Sequence, residues 1–297
     1  MKDSPLVSVI IPTYQNSNTL SRAVNSALKQ TYQNIEVIVV DDNPPDTKER
    51  KLTECVMRDY DTNPKVVYIK HERNRNGSAA RNTGFAHSNG EYIELLDDDD
   101  YFVPEKTDLQ VEFLENHREF DGVYGGRFER GEAIVYDKEG DLSKELLSYE
   151  ILPCTCTLML RRRAYQKLGG FDENYERHQD FEFLLRFFQK FKMGVIKQPL
   201  FYHCERVGAD NRLRLKYLEE QKINFLKQFD PIIKRLDTFH PGCRAKIYSL
   251  HYARIFWNYM RHLKLFDALR VFFNNLFQFG GVFLGEVGRY AVKYFKN

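Results

Sequence analysis

An α/β fold with a mostly parallel central sheet flanked by helices, followed by a helical C-terminal region, is what this sequence predicts. Three observations carry that expectation. Leu6–Ile11 and Ile35–Val40 are near-continuous apolar, β-branched runs, the pattern of strands buried on both faces. Strand-like and helix-like stretches then alternate with a repeat of roughly 25–30 residues, as βαβ units do. Three strand-like runs end in polar clusters, Pro12-Thr13-Tyr14, Asp41-Asp42 and Asp97–Asp100. Ligands of parallel sheets bind beyond the carboxyl ends of the strands, so these clusters are expected to converge.

The elements follow in order. Pro12 closes the first strand, and Leu20, Ala23, Val24, Ala27 and Leu28 recur at helical spacing after the polar turn Thr13–Ser17. The second strand ends at Asp41-Asp42, and Asn43-Pro44-Pro45-Asp46 reads as a turn and helix start, with the helix running to about Tyr60. Lys65–Lys70 is a third strand, Gly77–His87 a helix and Glu91–Leu96 a fourth strand. Pro104–His117 reads as a helix with Pro in its first turn. Asp121–Glu129 and Glu132–Tyr136 read as strands, Ser143–Glu150 as a short helix, and Cys156–Arg161 as a strand. His178–Phe191 is a helix with Phe181, Leu184, Leu185 and Phe188 on one face, and Gly194–Tyr202 a strand interrupted late by Pro199. From Leu213 the chain reads as helical. The expected division is 1–225, with a nucleotide-binding half 1–100 and an acceptor half 101–225, then a helical region 226–297.

The informative stretch is Glu91–Tyr101, where a short run of β-formers ends in four consecutive acids, Asp97 to Asp100. Adjacent carboxylates repel one another and favour neither strand nor helix. A solvated acidic turn is one reading. The other is a bound hard cation, Mg²⁺ or Mn²⁺, which turns repulsion into ligation and shares its remaining positions with water and phosphates.

Composition narrows the field. With 42% hydrophobic and 29% charged residues, the 297-residue chain can bury a sizeable core, which excludes global disorder. A net charge of +2 gives no reason to expect a nucleic-acid partner. The charge is uneven, however. Pro231 to Asn297 holds about 11 Lys/Arg against 3 Asp/Glu, a surplus near +8, leaving the rest near −6. Cys55, Cys154, Cys156, Cys204 and Cys243 match no zinc spacing and are read as reduced packing residues of a cytoplasmic protein. The N-terminus lacks an apolar signal core, and no run of 18 uncharged apolar residues occurs, so no spanning helix is expected.

Taken in order, the motifs resemble the family 2 glycosyltransferases of the GT-A fold. The resemblance rests on Leu6–Asn16, Glu36–Asp42, the segment Asn76–Gly84 (Asn-Gly-Ser-Ala-Ala-Arg-Asn-Thr-Gly), Leu96–Asp100, Gly169–Asp172 (Gly-Gly-Phe-Asp) and His178–Arg186, and covers roughly residues 5–205. It implies an inverting, metal-dependent enzyme that moves a sugar from a nucleotide-diphosphate donor, a UDP-sugar first, to a glycan or lipid-linked acceptor of bacterial-type surface polysaccharide or glycolipid synthesis. By the same resemblance, Pro12, Thr13 and Tyr14 line the nucleotide pocket and Asp42 accepts a hydrogen bond from the base. Arg81 either approaches the diphosphate or braces the acids. Asp98 contacts ribose, and Asp99 holds Mn²⁺ or Mg²⁺ with Asp97 completing the Asp-x-Asp spacing. Asp180 is the general base. His203 either approaches the metal or is structural. The acceptor side is expected near Gly170 and Phe171, with Arg206 opening a lid over Arg206–Arg214.

One position departs from the family pattern. Gln179-Asp180 stands where Glu-Asp is usual, so the first acid is neutralised. That departure keeps open a non-catalytic nucleotide- or glycan-binding module of the same fold. A nucleotidyltransferase is disfavoured because Pro12-Thr13-Tyr14 is not a glycine-rich basic phosphate loop, and a Rossmann dehydrogenase because no Gly-x-Gly-x-x-Gly follows the first strand. The aromatic helices of the tail, with Arg289, Lys293 and Lys296 on a basic row, have two readings. They pack on the core or a second subunit of a homo-oligomer, or they lie peripherally on the cytoplasmic face of a membrane.

Overall fold

The computed structural model describes residues 4–204 and 215–295. The chain forms two compact units, Met1–Ser143 with Ile151–Gly208, and Lys144–Glu150 with Ala209–Asn297. The expected boundary at residue 225 falls inside a helix that runs over Leu215–Phe239, so the division comes earlier.

In the first unit β1 (Val7–Thr13), α1 (Ser17–Leu28), β2 (Ile35–Asp41), α2 (Lys48–Met57), β3 (Val66–Lys70), α3 (Asn76–Ala86) and β4 (Tyr92–Leu95) alternate as expected. The strands β3-β2-β1-β4 are mutually parallel, with Thr13 opposite Asp41 and Ile10 opposite Leu95. Period-2 alternation explains why both faces are apolar. Val37 and Val39 pack in one cluster with Leu20, Ala23 and Val24 of α1, while Ile38 and Val40 pack with Ala80 of α3. Helix α3 lies so close to β1 that a β-carbon on Gly84 would stand 2.4 Å from Ile10. Helix α2 starts later than expected because Thr47, not the preceding turn, caps it, accepting from the Arg50 amide at 3.2 Å.

The remaining strands are β5 (Tyr101–Phe102), β6 (Gly122–Glu129), β7 (Glu132–Ile134), β8 (Met159–Arg161) and β9 (Met193–His203), with α4 (Lys106–Asn116), α6 (Arg162–Leu168) and α7 (Gln179–Phe188) between them. Here the sheet is mixed: β8 runs antiparallel to β4 and β6, and β5 antiparallel to β9, while β6 and β9 are parallel. Pro199 does not break β9, because the register with β6 shifts at that position, where a missing amide costs least. The strand expected from Cys156 starts only at Met159. A tight turn intervenes, in which the Cys154 carbonyl accepts from the Thr157 amide at 3.0 Å and its hydroxyl at 2.7 Å.

The second unit holds α8 (Leu215–Phe239), α9 (Cys243–Arg261) and α10 (Leu265–Phe295), together with most of α5 (Ser143–Leu147). Tyr149 anchors the short segment, receiving a hydrogen bond from Lys222 at 2.8 Å and meeting His251 at 3.2 Å. Helix α10 is broken at Gly280, whose φ of 55° and ψ of −131° are non-helical. A straight helix would part Phe272 and Phe283 by about 16 Å. Their rings stand 5.8 Å apart, so the two halves fold back on each other. Among the described residues no helix is long and apolar enough to cross a membrane.

Candidate active site

The carboxyl ends of β1, β2 and β4 open into a cleft of about 300 Å³. Pro12, Thr13, Tyr14, Asp42, Arg81, Asp97, Asp98 and Asp99 all line it, as does Gln179 from the start of α7. The separated clusters of the sequence therefore meet in one place.

Asp98 ties the acid run to the first turn. Its carboxylate accepts from the Thr13 hydroxyl at 2.7 Å, the Tyr14 amide at 3.3 Å and the Asn16 amide group at 2.9 Å. Asp42 is nearly fully buried and held from three sides, by His71 Nδ1 at 2.7 Å, Asn74 at 2.8 Å and the Arg75 amide at 2.8 Å. Burial raises its carboxyl above the usual range, and the His71 hydrogen bond opposes that rise. Asp41 does not share the cleft. It is consumed by Arg50, with Tyr68 donating to it at 2.6 Å, and is structural.

Arg81 lines the cleft and contacts both the acid run and α7. One terminal nitrogen donates to Asp97 at 2.5 Å and the other to Gln179 Oε1 at 3.0 Å, so it braces the acid run against the start of α7. Its guanidinium also stands 5.5 Å over the Phe171 ring. The chain places Arg81 there because α3 begins at Asn76, whose side chain accepts from the amides of Ser78 and Ala79 in the first turn.

The four acids differ in how far they are satisfied. Among the described residues, no side chain donates a hydrogen bond to the Asp99 carboxylate. Burial, then Asp97, Asp98 and Asp100, push its carboxyl up to about 7. A hard divalent cation on Asp99 would relieve that unbalanced charge, so the donor set fits Mn²⁺ or Mg²⁺. Asp97, Asp100 and Cys156 also lie with ligand atoms within 4.8 Å. That trio fits such an ion poorly, since burial holds the Cys156 thiol protonated and it donates to Asp100 at 3.3 Å.

The match that decides the family runs over residues 8–204, which fit the model described as Glycosyl transferase family 2. The chain belongs to glycosyl transferase family 2. It is 34% identical over 228 residues to an uncharacterized glycosyltransferase of Rickettsia prowazekii, covering 73% of this chain and 69% of that one. It is 29% identical over 258 residues to the amylovoran biosynthesis glycosyltransferase AmsB of Erwinia amylovora, covering 80% and 82%. Against two other Rickettsia relatives the match spans 33% and 30% of their length. The fold resembles that of Staphylococcus aureus TarS residues 1–349 solved with UDP-GlcNAc, with a TM-score of 0.63, 17% identity, and coverage of 93% and 90%.

Within this family frame, Asp180 adjoins Gln179 at the first turn of α7, half-buried, with Arg81 and Asp97 close enough to act on its charge. Burial raises its carboxyl above the ordinary range, and Arg81 offsets part of that rise. His203 is placed on Asp100, the one acid of the run that does not line the cleft, at 3.3 Å. That hydrogen bond raises the imidazole pKa. Of the two readings of His203, this contact with Asp100 is the structural one. Gly170 and Phe171, expected on the acceptor side, are buried. Phe171 stacks on Phe183 at 4.4 Å, and Gly170, at φ +80°, abuts Asn82. Arg206 and its lid segment lie outside the described residues.

Sequence reasoning missed two residues that shape the site. His71 immediately follows β3 and orients Asp42, and its place at the carboxyl end of a strand was the available signal. Asn82 clasps the glycine turn, accepting from the Phe171 amide at 2.8 Å and donating to its carbonyl at 2.9 Å and to Glu173 at 3.1 Å. Asn82 stands in the segment Asn76–Gly84, but nothing local says which turn it holds.

Proposed function

We propose that this chain transfers a sugar from a nucleoside-diphosphate donor to an acceptor hydroxyl with inversion, in the assembly of a surface polysaccharide or glycolipid. The observation that carries the reading is the Arg81 bridge, which joins the acid run to the segment bearing Asp180 beside one cleft. UDP-sugars are the first donors to consider: TarS, of the same fold, was solved with UDP-GlcNAc, and AmsB is named for amylovoran biosynthesis. The acceptor is a glycan or a lipid-linked sugar.

In this reading Thr13, Tyr14 and Asp42 hold the nucleoside, and Asp98 fixes the turn that carries Thr13 and Tyr14. Asp99, with Asp97, would hold Mn²⁺ or Mg²⁺, which supplies charge stabilisation for a departing diphosphate. Asp180 takes the proton of the acceptor hydroxyl. The oxygen so freed bonds to the anomeric carbon as the bond to the diphosphate oxygen breaks, so the configuration inverts in one step. Gln179 keeps Arg81 hydrogen-bonded without adding a second negative charge beside the base.

Release of free UDP from a panel of UDP-sugars, with an acceptor extract and with and without Mn²⁺, tests the proposal. Acceptor-dependent release that requires Asp180 supports it. Tight donor binding without any release would favour a binding module.

A further inference from the structure

The first half of α10 carries an apolar stripe that its own core does not use. Ala268, Val271 and Asn275 turn inward, the first two against Ile255, Phe256 and Tyr259 of α9. On the other side Phe266 and Phe277 are 92% and 90% exposed, and Leu269 and Phe273 about half exposed. Their spacing of three and four residues puts all four on one helical face about 16 Å long. Leu263, at the preceding turn, is 82% exposed. Two nearly bare phenylalanines on one face are a large apolar surface to leave in water.

We infer that this face docks on an anionic lipid bilayer. The charge around it selects that occupant. Lys264, immediately before the helix, is exposed, and residues 231–297 carry a surplus of about +8. The one acid of the first turn, Asp267, is paired with Arg270 at 3.6 Å. A second copy of this chain would bring two positive regions together, whereas acidic headgroups neutralise them while the rings enter the acyl boundary. The broken helix suits an in-plane position: its first half, 15 residues to Phe279, is about 22 Å long, short of a bilayer core. The inference does not rest on the proposed reaction.

Flotation of the full chain with lipid vesicles is the test. Phosphatidylcholine vesicles containing about 30% phosphatidylglycerol should carry the protein at least about tenfold better than phosphatidylcholine alone, and about 0.5 M salt should weaken the binding. The double variant Phe266→Glu, Phe277→Glu should float about tenfold less, with its circular dichroism unchanged because both side chains are exposed. Lys264→Glu should reduce flotation less. Three results would overturn the inference: no flotation of the wild type, equal flotation with neutral vesicles, or undiminished flotation of the double variant. A dimer in light scattering that the double variant dissolves would also overturn it, by showing that a second copy covers the face.

Discussion

Arg81 donates to Oε1 of Gln179 at 3.0 Å across 98 residues of chain. The fork geometry matters, because the same guanidinium holds Asp97 through its other nitrogen. Arg81→Lys keeps the charge but cannot reach both partners in one plane. We expect turnover to fall by about 10²-fold or more in steady-state assays of UDP release, since loss of positioning costs that much.

Gln179→Glu restores the acid usual in the family. A carboxylate next to Asp180 disfavours ionisation of the base. The variant should therefore bind donor, while the acid limb of its pH–rate profile moves to higher pH. A limb that stays in place would mean that Arg81 fully screens the new charge.

Asp180→Asn should lower kcat by about 10²–10⁴ with donor affinity retained, read by turnover and by calorimetric titration with UDP. The wild-type pH dependence has a definite sign. Burial raises the Asp180 carboxyl, so it stays protonated to higher pH than an ordinary aspartate. A protonated acid accepts no proton, so turnover climbs as pH rises through that pKa. The limb should lie above the usual carboxylate range and vanish in the variant.

Asp99→Ala should abolish stimulation by Mn²⁺ while leaving the fold intact. Its carboxylate receives no side-chain hydrogen bond among the described residues, and removing it relieves repulsion from three neighbours. Thermal melts should thus be unchanged or slightly higher without metal, and the increment on adding Mn²⁺ should disappear.

His71→Leu removes a partner from the buried Asp42 carboxylate. Leaving that acceptor short of a hydrogen bond should cost about 1–3 kcal/mol of stability and weaken UDP binding. Denaturant titration and calorimetry separate the two effects.

The parallel half of the sheet was legible because burial on both faces writes unbroken runs such as Leu6–Ile11. The mixed half was harder to read, since strands as short as β8 carry too few residues for a period. Pairings between distant residues left no local mark. His71 meets Asp42 from 29 positions away and Asn82 meets Phe171 from 89, and neither distance has a periodic signature. Phe171 misled for a related reason: a motif fixes which residue is present, not whether its ring faces the cleft or the core, where Phe183 takes it.

The reversal at Gly280 has a consequence for reach. Extended, 31 helical residues would carry the end of the chain about 46 Å from Leu265. Doubled back, with the indole of Trp257 donating to the Val287 carbonyl at 3.0 Å, the closing turns come home to α9. The last helix is thus a clasp rather than an arm. A β-branched residue at 280, unable to hold that backbone angle, would throw the terminus outward and strip α9 of its cover.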